Sequence, residues 1–85
     1  MTYEIRLRPA AVRALRGIAH GDRDRVQAAI ALLAQDPRPP SSRRLTGRPG
    51  YRVRVGDHRI IYTVDDGLLL IVVVTLGHRR EVYRT

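Results

Sequence analysis

Hydrophobic positions alternate at the start of the chain and then follow a helical period. The segment TYEIRL, residues 2–7, alternates apolar and polar side chains and predicts a half-buried first strand. Pro9 then begins a helix that Gly21 is expected to end, and Asp22 caps a second helix with its own apolar stripe. Because only a few residues join these helices, we expect an antiparallel helical hairpin.

Three further strands are predicted in the second half of the chain. The segments YRVRV, HRIIYTVD and LLLIVVVTL are separated by two-residue hairpin signals, Gly56-Asp57 and Asp66-Gly67. The last segment is apolar on both faces, as in a central strand. The order β-α-α-β-β-β predicts an α+β fold in which an antiparallel four-stranded sheet packs against the helical hairpin, in a single domain over residues 1–85.

A long loop, PRPPSSRRLTGRPG, separates the helices from these strands. Its composition of proline, serine and glycine is typical of irregular structure. Four arginines make it strongly basic, namely Arg38, Arg43, Arg44 and Arg48. Peripheral contacts with phosphate groups and plain solubility are both open as explanations for them.

The charge of the chain favours an anionic partner. All 16 basic residues are arginine against 8 acidic residues, which gives a net charge of +8. Nucleic acid or an acidic protein fits this balance, whereas a GC-rich genome would explain only the absence of lysine. The chain has no cysteine, no signal-peptide core and no apolar run long enough to cross a membrane, so a cytoplasmic location without membrane contact is expected.

The first hairpin signal gathers arginines on one face of the sheet. A two-residue turn at Gly56-Asp57 sets Arg54 opposite Arg59, with Arg52 on the same face. Like charges in this arrangement destabilise a strand pair by a few tenths to about 1 kcal/mol. A bound anion would relieve that repulsion.

The second hairpin signal predicts where the end of the chain emerges. If Asp66-Gly67 closes a two-residue turn, Arg59 faces Val74 and the segment GHRREVYRT leaves the sheet beside the arginines. That segment would bring four more polar side chains to the same region: His78, Arg79, Arg80 and Tyr83.

The chemistry that these residues can support is limited to phosphate. The sequence has no pair of free carboxylates for acid–base work, no histidine spacing typical of metal ligands, no nucleophile triad and no glycine-rich phosphate loop, so neither a metal nor a cofactor is expected. Guanidinium groups bind phosphate oxygens bidentately and stabilise developing charge. If the ligand is RNA, its own 2′-OH can act as nucleophile, and Tyr83 can stack on a base.

With these elements and motifs, the chain resembles the RelE/ParE superfamily of bacterial type II toxin–antitoxin toxins. The resemblance covers nearly the whole chain, and its most specific parts are L-T-G before the second strand, YRVRVGDHRIIY and GHRREVY. It favours the RelE branch. The expected function is then an mRNA endoribonuclease (mRNA interferase) that acts in the A site of the 70S ribosome and inhibits translation. The RNA 2′-OH attacks the scissile phosphate.

The resemblance implies a role for each catalytic residue. Arg52 and Arg54 would hold the RNA backbone and assist proton removal, while Arg59 would stabilise the scissile phosphate. Arg79 would stabilise or protonate the leaving oxygen, and Tyr83 would stack on the substrate base and orient the nucleophile. Further contacts with RNA are expected from three other arginines: Arg44, Arg48 and Arg80.

The chain departs from this family at the strand that carries Arg52 and Arg54. Related toxins often have lysine there, and lysine can lose its proton when its pKa is lowered, whereas arginine effectively cannot. The two arginines are therefore poor general bases. The general base would then be Tyr83, His78 as a possible acid or base, or a ribosomal group.

Two other functions remain open at this point. The ParE branch has the same fold and similar motifs but poisons DNA gyrase, and a degenerate toxin would keep only its antitoxin binding. Any of these functions implies a cognate antitoxin in a hetero-oligomer, whose acidic residues would be electrostatically favoured.

Overall fold

The computed structural model describes residues 2–78 of the 85-residue chain. Two helices and five strands follow one another within that range. They are β1 (Glu4–Leu7), α1 (Pro9–Arg16), α2 (His20–Leu33), β2 (Ser42–Arg44), β3 (Tyr51–Val55), β4 (His58–Asp65) and β5 (Leu70–His78). No helix within the described range is both long enough and apolar enough to span a membrane.

The α+β class is confirmed, but the sheet has one more strand than predicted and is not wholly antiparallel. Its strand order is β1-β5-β4-β3-β2, so the apolar β5 is central as predicted. The additional strand, β2, is only three residues long and lies inside the proline-rich loop, where no alternating pattern marks it. β1 pairs with β5 in parallel, which a local sequence pattern does not specify.

The first helix begins at Pro9 as predicted, but it ends, and the second helix begins, earlier than the sequence signals indicate. α1 ends at Arg16, and the backbone N–H of Gly17 bonds to the carbonyls of Arg13 and Ala14 at its C-terminus. α2 begins at His20, so Gly21 and Asp22 lie in its first turn. Asp22 therefore acts near the positive end of the helix dipole, although it is not the capping residue.

Both helices cover the same face of the sheet and enclose one core. Four buried core residues come from the helices and one from the connection between them: Ala11, Val26, Ile30 and Leu33, with Ile18. They meet the strand residues Val53, Ile60, Tyr62, Ile71, Val73 and Leu76. Because side chains alternate along a strand, the residues between these buried positions point to the opposite face. That second face carries the arginines of β3 and β4.

The loop between α2 and β2 is fixed to the sheet by Arg38. Its guanidinium donates to both carboxylate oxygens of Asp66, at 3.2 and 2.8 Å, and to the hydroxyl oxygen of Tyr51 at 2.9 Å. The hydroxyl of Tyr3 donates to the same carboxylate at 2.6 Å, and that of Tyr62 donates to the carbonyl of Pro37 at 2.7 Å. Arg38 therefore attaches the loop to the sheet, a structural role that differs from both the phosphate contact and the solubility considered for it.

The first hairpin has the predicted register, and the second does not. Val55 pairs with His58 around the Gly56-Asp57 turn. At the second turn, however, Asp65 pairs with Leu70, so four residues rather than two form the connection, with Leu69 at a positive φ of 52°.

A β-bulge between Ile61 and Tyr62 shifts the pairing of β4 with β5 once more. Arg59 consequently faces Gly77 instead of Val74.

Candidate nucleic-acid interface

Arg54 and Arg59 form the centre of the basic face. They are directly opposed across β3 and β4, as the turn between them predicted. Arg54 is exposed, whereas only 6% of Arg59 is accessible to solvent. On its other side Arg59 is opposed by Gly77, which has no side chain to occupy the space beside the guanidinium group.

Two more arginines extend this face toward the sheet edge. Arg52 is opposite Ile61 on β4 and Arg43 on β2, so it shares the face of Arg54. We call Arg43, Arg52, Arg54 and Arg59 the arginine cluster. For Arg43 the sequence left peripheral phosphate contact and solubility both open, because the pairing of β2 that sets it opposite Arg52 has no signal in the sequence.

The other loop arginines lie outside the cluster. Arg44 is opposite Tyr51, whose ring stacks on Tyr62 of the core at 5.8 Å, so Arg44 is on the helix-facing side of the sheet. Arg48 is exposed in the connection between β2 and β3. The structure thus brings Arg52 and Arg54 together with Arg59, and leaves Arg44 on the opposite face.

His78 is also on the helix-facing side. It is directly opposite His58, and the two rings lie edge to face with their centroids 6.3 Å apart. The pair borders a depression beside the α1–α2 connection that is also lined by Ile18 and Asp22. Three other predicted site residues, Arg79, Arg80 and Tyr83, lie outside the described residues.

The electrostatics of the cluster suit an anionic ligand. Within residues 2–78, neither Arg43 nor Arg54 forms an ion pair with a carboxylate. The same part of the chain contains no group of three or more histidine, aspartate or glutamate side chains arranged to hold a metal ion. Four guanidinium groups on one face can bind phosphate oxygens in pairs and stabilise negative charge that develops on them.

Solved structures with this fold come from several toxin–antitoxin systems. A chain of the toxin–antitoxin complex RelBE2 from Mycobacterium tuberculosis is 22% identical with a TM-score of 0.79, covering 93% of this chain and 100% of its own. A chain of the archaeal RelE–RelB complex from Pyrococcus horikoshii is 28% identical with a TM-score of 0.79, covering 93% and 97%. The free toxin RelE of E. coli, as a double arginine-to-alanine mutant, is 21% identical with a TM-score of 0.81, covering 99% and 93%.

Residues 5–83 match the profile of the family described as the ParE toxin of the type II toxin–antitoxin system parDE, and the chain belongs to that family. The family match, together with the shared fold, makes the chain a type II toxin of the RelE/ParE superfamily. No curated protein matches its sequence.

Proposed function

We propose that the chain is a ribosome-dependent mRNA endoribonuclease that inhibits translation. The 2′-OH of the nucleotide in the ribosomal A site would attack the adjacent phosphate and leave a cyclic phosphate and a free 5′-OH. The observation that carries the proposal is the direct opposition of exposed Arg54 and buried Arg59. A phosphate group between them would offset the repulsion between two like charges.

Burial gives Arg59 the central role. An ionic interaction is stronger where water is excluded, so a guanidinium that is 6% exposed stabilises a charged transition state more than an exposed one does. Arg59 would therefore contact the scissile phosphate. Arg52 and Arg54, which flank it on the neighbouring strand, would hold the RNA backbone in position for attack.

The remaining roles rest on the family resemblance. Arg79 would stabilise the leaving oxygen, and Tyr83 would stack on the substrate base and orient the nucleophile. No arginine can serve as general base, so Tyr83 or a ribosomal group would take the proton. His78 is a weaker candidate than its position in the sequence indicated, because it lies opposite His58 on the other face of the sheet.

An antitoxin would control this activity. The chains from M. tuberculosis and P. horikoshii were solved as toxin–antitoxin complexes. For the present chain, a cognate antitoxin with acidic residues would complement the net charge of +8 and mask the arginine cluster.

A second candidate function is poisoning of DNA gyrase. It is favoured by the matching family, which is described by its ParE toxins. A gyrase poison would act through contact with the enzyme–DNA complex, and the arginine cluster would not need to perform any chemistry on RNA.

The test is a map of mRNA 5′ ends after induction of the toxin, with and without a block of translation initiation. The proposal predicts cuts in phase with codons, free 5′-OH ends and loss of the cuts when translation is blocked. The Arg59→Ala variant should abolish the cuts, and Arg44→Ala, which alters the opposite face, should retain them. Intact mRNA with trapped gyrase–DNA complexes would instead support the second function.

A further inference from the structure

We propose that Arg43 and Ser41 form a second phosphate subsite next to the scissile one, which binds the neighbouring phosphate of the RNA chain. The inference rests on the proposed ribonuclease function and deepens it. Its basis is that the arginine cluster consists of two directly opposed pairs, Arg43 with Arg52 and Arg54 with Arg59.

The spacing of the two pairs suits a chain of phosphates. Arg52 and Arg54 are two residues apart on β3, which corresponds to about 7 Å along a strand. The partners of these residues lie on opposite sides of β3, so the pairs are also displaced by one strand spacing of about 4.8 Å. One pair would hold the scissile phosphate, and the other would hold the next phosphate toward the sheet edge.

Arg43 is held in place for this role by the backbone of its own loop. Its Nη1 donates to the carbonyl oxygens of Pro40 and Ser42, at 2.9 and 2.8 Å. Within residues 2–78 the side chain of Arg43 makes these two hydrogen bonds and no others. The N–H groups of Nε and Nη2 can therefore donate to a ligand. Such an anchored guanidinium loses less conformational freedom when it binds an anion.

A shallow hollow lies between these side chains. It is lined by Ser41, Arg43, Arg52 and Arg54 and has a volume of about 190 Å³. Since a water molecule takes roughly 30 Å³ of liquid volume, the hollow has room for a phosphate group and part of its sugar. Ser41 adds a hydroxyl, which can donate to a phosphate oxygen.

Two neighbouring arginines of the loop, Arg43 and Arg44, lie on opposite faces of the sheet. Arg43 and Arg44 are neighbours in sequence with the same charge, yet Arg43 pairs with Arg52 and Arg44 pairs with Tyr51 on the other face. A general attraction of RNA to a basic protein would involve both residues equally. The second subsite requires Arg43 alone, so Arg44 provides a matched control.

The experiment compares Arg43→Gln with Arg44→Gln in binding short, uncleavable 2′-O-methyl RNA. A dinucleotide has one linking phosphate and a trinucleotide has two. The wild type should bind the trinucleotide several-fold more tightly than the dinucleotide, and Arg44→Gln should keep that gain. Arg43→Gln should lose it while binding the dinucleotide as the wild type does. On longer single-stranded RNA, Arg43→Gln should lower the slope of log affinity against log salt by about 0.7, as expected for one lost phosphate contact.

Equal losses in the two variants, or a trinucleotide gain that survives Arg43→Gln, would overturn the subsite. Either outcome leaves the ribonuclease proposal intact if codon-phased cuts are still seen. Failure of the wild type to bind either oligonucleotide at low salt, together with uncut mRNA, would overturn both. Urea unfolding of each variant verifies that a lost gain does not arise from a misfolded protein.

Discussion

Arg54 faces Arg59 across two neighbouring strands, although one is exposed and the other almost fully buried. Opposed like charges weaken a sheet, and a side chain such as threonine would serve an exposed strand equally well. We therefore expect the pair to bind an anion and to lower the stability of the free protein. If a bound phosphate relieves that repulsion, removal of Arg54 should affect stability and activity in opposite directions.

Arg54→Ala should cost little stability or gain up to about 1 kcal/mol, because it removes the repulsion from an exposed side chain. The same change should reduce RNA cleavage at least tenfold, since it removes a contact with the substrate backbone. Urea unfolding measures the first effect, and the mRNA cleavage assay measures the second.

The stability of Arg59→Ala provides the comparison for that of Arg54→Ala. The stem of Arg59 is buried, so its removal should destabilise the fold even though it relieves the same repulsion. A large loss of stability in Arg54→Ala, comparable with that of Arg59→Ala, would contradict the interpretation of the pair as a strained binding site.

His78→Ala should leave cleavage within a few-fold of the wild type. His78 packs edge to face against His58 on the helix-facing side, away from the arginine cluster. Rates measured between pH 5 and 8 should also keep the wild-type profile, because His78 lies on the other face of the sheet from the cluster. A loss of activity with a shifted profile would restore His78 to the catalytic set.

Asp66 should make the stability of the protein dependent on acid pH. Its hydrogen bonds with Arg38, and secondarily with Tyr3, hold the pKa of Asp66 below its usual value. The resulting stabilisation is fully present above the unfolded-state pKa of about 4 and is lost as the pH falls through the lower folded-state pKa.

The difference in free energy of unfolding between the wild type and Asp66→Asn should therefore be constant near neutral pH and shrink in acid. Urea unfolding at a series of pH values measures it. Asp24→Asn, on the exposed side of α2, is the matched control for the loss of one carboxylate. A difference that is independent of pH down to the acid limit would show that the ion pair with Arg38 contributes nothing.

The parts of the site that the sequence predicts are those fixed by local chemistry. A two-residue turn at Gly56-Asp57 determines the register of β3 with β4, and with it the opposition of Arg54 and Arg59. The register of the second hairpin could not be predicted in the same way. Its connection has four residues and includes Leu69, which has a positive φ although it is not a glycine. The bulge at Ile61 and Tyr62 likewise has no signal in the sequence.

Long-range pairing is what the sequence does not show. Three residues of β2 gain their strand conformation only by pairing with β3, so the role of Arg43 could not be distinguished from that of Arg44. Arg38 was similarly ambiguous, because its partner Asp66 is 28 residues away in the chain. In each case the sequence identifies the arginine, but the orientation of its side chain depends on a partner that is distant in the chain.

Gly50 tests the structure of the loop that precedes β3. Its φ of +123° is rarely adopted by other residues, and a Cβ there would lie 2.9 Å from the carbonyl oxygen of Tyr62 and 3.2 Å from a methyl of Leu45. Gly50→Ala should therefore destabilise the protein by about 2 kcal/mol or more, through backbone strain and overpacking together.

Gly21→Ala is the control, because nothing lies within 4 Å of its added Cβ and alanine favours a helix by up to about 1 kcal/mol. Urea unfolding should order the three proteins with Gly21→Ala at or above the wild type and Gly50→Ala well below it. Equal stability of Gly50→Ala and the wild type would mean that this loop does not pack against β4 as described.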